Sequence, residues 1–124
     1  MPERDPRDLL PLVVEAESKP WKAMPDVPGV EYRVLRKHPV DGGLTILLRF
    51  AKGVRYPTHR HPGGEEYYML DGTLADGGRT YGRDAYVFHP PGSIHTPSSP
   101  DGAVILVVLP KAVELVGRGV IQGM

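Results

Sequence analysis

The sequence predicts an all-β fold, a sandwich or barrel of short strands, and three observations predict it. Apolar and polar residues alternate in short runs, as in Leu44, Ile46, Leu48 and Phe50 against Thr45, Leu47 and Arg49, which is the period of a half-buried strand. Gly and Pro, 15 and 14 of the 124 residues, fall singly or in pairs between those runs and read as turn punctuation. The longest apolar run, Ala103 to Leu109, is β-branched and suits a buried strand, being far short of the roughly 20 residues that a membrane helix needs.

Residues 1 to 30 form an N-terminal arm punctuated by Pro2, Pro6, Pro11, Pro20, Pro25 and Pro28. The arm is expected to pack on a barrel spanning residues 31 to 124, the whole making a single domain. Within it, Leu9 to Val14 offers a short strand or one turn of helix, and Trp21 is the residue expected to anchor the arm by packing. Strands follow at Glu31 to Lys37 and Leu44 to Ala51, joined by the turn His38-Pro39-Val40-Asp41-Gly42-Gly43, rich in residues that favour turns. A strand then carries His59 and His61, and after a Pro-Gly-Gly turn another runs from Glu65 to Leu70. Asp71-Gly72 and Asp76-Gly77-Gly78 read as hairpin-like turns. Ala85 to His89 is a strand closed by Pro90-Pro91-Gly92, and only Lys111 to Val116 suits a helix. Many short strands at regular spacing are the mark of an all-β sandwich or barrel.

Composition excludes several function classes. A formal net charge of zero, without a Lys/Arg stripe, argues against nucleic acid as a partner, because neutralising phosphates needs clustered cations. The opening Met1-Pro2-Glu3-Arg4-Asp5 lacks the apolar core of a secretory signal, so no membrane association is expected and the default location is the cytoplasm. Cys is absent, which leaves only nitrogen and oxygen to hold a metal.

Those donors are concentrated in His59-Arg60-His61-Pro62-Gly63-Gly64-Glu65 and in Pro90-Pro91-Gly92-Ser93-Ile94-His95. Residues i and i+2 of a strand share a face, so His59 and His61 can reach one ion while Arg60 faces solvent. The Pro-Gly-Gly turn returns Glu65 close to the pair, and the Pro-Pro-Gly corner delivers His95 from a different strand. Three imidazoles and a carboxylate suit one divalent transition metal, and Fe, Zn, Mn, Ni and Cu all accept the set.

The spacing is more specific than any one pair. Gly53, His59, His61, Glu65 and Gly72 match the first signature of the cupin superfamily without a gap, and Pro90, Gly92 and His95 match part of the second. The chain thus resembles a cupin. That resemblance implies a double-stranded β-helix, the jelly-roll barrel, with a central metal held at the positions of His59, His61, Glu65 and His95. Asp84 stands where the second signature opens with glycine (Gly82 lies two residues earlier), and Ser99 stands where it ends with asparagine. The first departure bears on a local turn, and neither touches a ligand position. Pro28-Gly29-Val30, Leu48-Arg49-Phe50, His59 to Glu66 and Pro90 to Ser99 are similar, more narrowly, to the ChrR-like cupins. That group includes the zinc-bearing C-terminal domain of an anti-sigma factor, and it resembles dioxygenases that cleave carbon–carbon bonds in β-diketones and hydroxyacetophenones. The anti-sigma factors carry a separate helical, Cys-containing N-terminal domain, so a complete anti-sigma factor is not expected here.

The expected function is an Fe(II)-type dioxygenase cleaving a small enolisable carbonyl compound. The alternative is a non-enzymatic zinc module with a sensor, ligand-binding or structural role. A metal-free sugar isomerase or epimerase fits less well, given the intact donor set. Tyr67 and Met69 share the parity of Glu65 and are expected to line the pocket unless a bulge intervenes. The Tyr67 phenol can orient substrate or donate a proton, the plainer reading being packing. Arg49 either snorkels outward or meets a substrate anion inside the barrel. Glu66 reads as a rim carboxylate and His38 as an exposed turn residue, and parity alone does not place His89. The expected partners are a small-molecule substrate or ligand and a second copy in a homodimer, through the apolar lead-in or an edge strand.

Overall fold

In the computed structural model, which describes residues 3–116 and 119–120, nearly all regular structure is strand. The strands run in chain order β1 (Lys22–Ala23), β2 (Val30–Lys37), β3 (Gly42–Phe50), β4 (Val54–Arg55), β5 (His59–His61), β6 (Glu65–Gly72) and β7 (Leu74–Asp76). They continue as β8 (Arg79–Tyr81), β9 (Tyr86–His89), β10 (Ser93–His95), β11 (Ser98–Ser99), β12 (Ala103–Lys111), β13 (Glu114–Leu115) and β14 (Gly119–Val120). A six-stranded sheet has the order β1-β2-β3-β12-β6-β9, and two four-stranded sheets have the orders β10-β5-β13-β14 and β4-β11-β7-β8. All pairings are antiparallel. The two smaller sheets close over the inner face of the large one, which is the jelly-roll barrel. Among the described residues no helix is long and apolar enough to cross a membrane.

Alternation decides what the barrel encloses. Leu44, Ile46, Leu48 and Phe50 of β3 turn inward and are buried, as are Tyr67 and Met69 of β6. The bulge in the β6–β12 pairing lies between Val104 and Ile105, beyond Met69, so it leaves the inward parity of Tyr67 and Met69 intact. Met24 and Val27 of the arm join the same core, and β1 pairs with β2. Trp21 anchors the arm on the outer face of the sheet, its indole lying between the guanidinium groups of Arg33 and Arg49, 4.3 and 4.4 Å from the ring centroid.

Two turns illustrate the local chemistry. Asp76 pairs with Arg79 across Gly77-Gly78, whose φ values are 61° and 80°, the two positive dihedrals of a type I′ hairpin. Asp71-Gly72 is not a hairpin. There the chain passes from the large sheet into β7, Gly72 has φ 74°, and any Cβ would be driven into the Gly102 carbonyl. Asp84 takes φ 71° in the place where the signature has glycine, a conformation that Asp tolerates better than most residues. Its carboxylate accepts a hydrogen bond from the Tyr68 hydroxyl at 3.0 Å.

Four further expectations are corrected. Residues 111 to 116 form no helix, because β12 continues to Lys111 and β13 pairs with β5. Leu9 to Val14 forms neither strand nor helix; the 3-10 turns lie on either side, at Pro6–Asp8 and Ala16–Ser18. The apolar run of β12 is buried on one side only, Val104, Leu106 and Val108 being half-buried on the outer face. His38 is half-buried, its Nε2 lying 2.8 Å from the Thr45 hydroxyl.

Candidate metal centre

Strand geometry assembles the centre. β5 turns His59 and His61 into the barrel and Arg60 outward, where Arg60 pairs with Glu114 at 3.2 Å. The β5–β10 register sets His95 opposite His59, so the two share a face. The Gly64 amide donates to the His61 carbonyl at 3.0 Å, closing the turn that starts β6 at Glu65. The Nε2 atom of His95 thus lies 2.9 Å from Nε2 of His59 and 2.8 Å from Nε2 of His61. Glu65 sets Oε2 3.4 Å from His61 Nε2 and Oε1 3.7 Å from His95 Nε2. All four residues anticipated as ligands are buried and brought together, with the three histidines forming one compact nitrogen cluster.

The hydrogen bonds behind the rings determine where their protons sit. The Pro57 carbonyl can only accept, so His59 donates to it from Nδ1 at 2.7 Å. His95 donates from Nδ1 to the Asp76 carboxylate at 2.9 Å. A neutral imidazole with its proton on Nδ1 has a bare lone pair on Nε2. The His59 and His95 lone pairs therefore face each other at 2.9 Å, an arrangement that a shared cation relieves and no hydrogen bond between these two rings can. Glu65 Oε1 and His61 Nδ1 are buried without a hydrogen-bond partner, and the orphaned carboxylate oxygen likewise calls for a cation. The donor set fits a divalent metal, with rear hydrogen bonds of the kind that orient metal-binding imidazoles.

Burial dominates the electrostatics. It is the main reason that His59 falls to about 4 and His61 to about 3, neighbouring histidines adding to the effect. Burial also pushes the Glu65 carboxyl up to about 7, the Asp76 charge adding to it and His95 opposing. Burial would raise Asp76 too, but hydrogen bonds from His95 and His89 outweigh it and hold that group at about 2. Between about pH 4.5 and 6.5 the unfolded chain carries protons on both histidines that the metal-free folded chain lacks, and the folded chain carries one on Glu65 that the unfolded chain lacks. The unfolded state thus binds about one proton more, and stability rises with pH. Chelator-treated protein is expected to lose about 1.4 kcal/mol per pH unit on acidification through this window. Urea midpoints at pH 6.5 and 4.5 check it, and equal midpoints would refute this electrostatic picture.

The donors open into a narrow pocket with a cavity volume of about 30 Å³. Ile46, Leu48, Phe50, Ile105, Val107 and Leu109 wall it, and among the described residues no Lys or Arg lines it. Tyr67 lines the pocket too, with its hydroxyl donating to Asp76 at 3.0 Å. Arg49 is not brought to the centre. It lies on the outer side of β3, bonded to Glu31 at 2.7 Å, because the inward positions of that strand are the apolar ones. Glu66 also faces outward, accepting from the Tyr86 hydroxyl at 3.3 Å.

Two residues at the site escaped sequence reasoning. Asp76 is buried and gathers hydrogen bonds from His95, His89 and Tyr67. Its His89 contact, 2.9 Å from Nε2, gives that histidine the place that parity could not. Tyr56 packs its ring 4.8 Å from that of His59 and lines the pocket. Burial, with the Glu65 charge, raises its phenol to about 12.

Comparison with known proteins places this geometry in context. A family model described as the ChrR Cupin-like domain matches residues 11–114. No curated protein matches the chain. Among solved structures, an acetylacetone dioxygenase from Acinetobacter johnsonii superposes with a TM-score of 0.80 at 17% identity, over 100% of this chain and 91% of that one. An RmlC-like cupin protein from Ralstonia eutropha JMP134 gives 0.79 at 18% identity, covering 88% and 74%. A chain from the complex of Rhodobacter sphaeroides SigE with the anti-sigma ChrR gives 0.62 at 22%, covering 72% and 47%. At these identities the likeness is one of fold.

Proposed function

Because the chain belongs to the ChrR cupin-like family, we propose that it is a cytoplasmic metalloenzyme, an Fe(II)-type dioxygenase that cleaves a small, uncharged, enolisable carbonyl compound. The observation that carries the proposal is the facing pair of imidazole lone pairs, His59 against His95 at 2.9 Å, at the end of an apolar pocket. His59, His61 and His95 would hold the metal, with Glu65 as fourth donor. A bound ferrous ion would supply Lewis acidity and redox access to dioxygen. The protein's own residues do the rest. Aliphatic walls exclude water and select against charged substrates, since burying an unpaired charge is costly. Tyr56 keeps its proton throughout the neutral range and is the donor we assign to a substrate oxygen. Tyr67 is a positioning residue, acting through Asp76 on His95.

A second reading, a non-enzymatic zinc module, is favoured by the donor count. Three nitrogens and one carboxylate would fill the four positions of a closed zinc site, leaving none for substrate. Metal analysis of untagged protein, followed by oxygen uptake with β-dicarbonyl and hydroxyaryl ketones, separates the two. The dioxygenase reading expects iron near one equivalent and oxygen consumption with at least one neutral ketone. Iron-loaded protein that consumes no oxygen across the panel would overturn it. Zinc near one equivalent, with a large drop in Tm on chelation, would establish the module instead.

A further inference from the structure

We propose that Met24, brought by the N-terminal arm, decides how large a substrate reaches the metal centre: it plugs the open edge of the pocket and swings aside for small neutral ketones. The inference rests on the reading of this pocket as the substrate site. Its starting point is a mismatch of size. The cavity of about 30 Å³ has room for about two water molecules, less than any β-diketone requires. Some wall must therefore yield before a ketone can approach the imidazole cluster.

The sheet decides which wall. Ile46, Leu48 and Phe50 lie on β3, and Ile105, Val107 and Leu109 on β12. Both strands are paired on each side within the six-stranded sheet, so moving either would break the ladders beside it. The lining residues outside strands are Met24, Tyr56, Pro97 and Val113. The Tyr56 amide donates to the Pro97 carbonyl at 2.9 Å, which ties those two together, and the Tyr56 ring packs on His59. Val113 is β-branched and stiff. It is held between Ala112, whose amide donates to the Asp41 carbonyl at 3.3 Å, and Glu114 of β13.

Met24 differs in each respect. It follows β1, the last strand at that edge of the large sheet. Its amide donates to the Val30 carbonyl at 2.9 Å and its carbonyl accepts from the Val27 amide at 3.3 Å, so the main chain is anchored independently of the side chain. Met24 is 4% exposed, and its side chain is unbranched with three rotatable bonds. It ends in a thioether that is at most a weak acceptor. The side chain can change rotamer and clear the pocket without breaking a main-chain hydrogen bond.

Cobalt(II)-loaded protein offered imidazole and the bulkier phenylimidazole, both neutral metal ligands, reads access through its visible absorption bands. The parent protein is expected to prefer imidazole. Met24→Ala should narrow that preference by about 10-fold or more, the worth of a methylene in an apolar pocket. Cobalt content should stay unchanged, since all four metal donors remain. Met24→Leu, which conserves volume and therefore the fold, should slow the association of both probes, its branched end having less room to swing. Preferences and rates equal in the parent and both variants would overturn the proposal. So would a cobalt centre that takes up neither probe, because a closed metal site has no access to control. A preference that follows Met24, while iron-loaded protein consumes no oxygen with any ketone, would uphold the gate and sink the dioxygenase reading alone.

Discussion

Replacing His95 or His59 with alanine is expected to abolish tight metal binding, whereas Arg60→Ala should leave metal content unchanged. Each histidine presents an Nε2 lone pair whose direction is fixed from behind, by Asp76 for His95 and by the Pro57 carbonyl for His59. Losing either removes a preoriented donor from a buried cluster that water does not readily replace. Arg60 lies between the two β5 histidines in sequence yet on the opposite face, spending its charge on Glu114. Metal content by elemental analysis, after equilibration against a competing chelator, checks the prediction. Equal occupancy in all three variants would show that the metal, if any, lies elsewhere.

Asp76→Ala should have the second largest effect, on two readouts at once. Its carboxylate takes three buried or half-buried hydrogen bonds, from Tyr67, His89 and His95. Removing it strands all three donors. The expected loss of stability is about 3–5 kcal/mol, the usual range for breaking a buried charged network. Metal affinity should fall about 10- to 100-fold, since His95 loses the acceptor that holds its proton on Nδ1. Asp76→Asn keeps an acceptor oxygen and should recover most of the stability while leaving affinity reduced. An alanine variant as stable and as metal-avid as the parent would remove Asp76 from the site.

Asp76 also marks where the sequence stopped being legible. His59, His61 and Glu65 could be found because their spacing on one strand and its return obeys a period of two, and His95 because a Pro-Pro-Gly corner announces it. Asp76 sits in an Asp-Gly-Gly run, which reads as a turn and is one; the same residue also ends a strand with its side chain inward. The clue was there in Leu74-Ala75-Asp76, since an apolar residue two positions earlier puts Asp76 on the buried side. Tyr56 gave no such clue, because it precedes Pro57 in an irregular segment to which no period applies. The longer strands were legible because alternation is imposed by the pleat, whereas two-residue strands such as β1, β4, β11 and β13 are too short to show a period. The outer exposure of Leu106 and Val108 was not, because a run with apolar residues at every position hides which side faces water.

The place of β12 in the sheet order has a consequence for synthesis. The strand lies between β3 and β6, yet it is made long after both. Until residues 103 to 111 leave the ribosome, the β2–β3 hairpin and the β6–β9 pair each display a naked edge, and an unpaired edge is a template for intermolecular pairing. The nascent chain therefore carries two half-sheets with no keystone, and the barrel closes only when β12 slides in and satisfies both edges together. Folding is then late and all-or-none, dominated by contacts distant in sequence and correspondingly slow. A chain cut short before Ala103 would be a sticky fragment, whereas one that extends through Lys111 contains every strand of the large sheet.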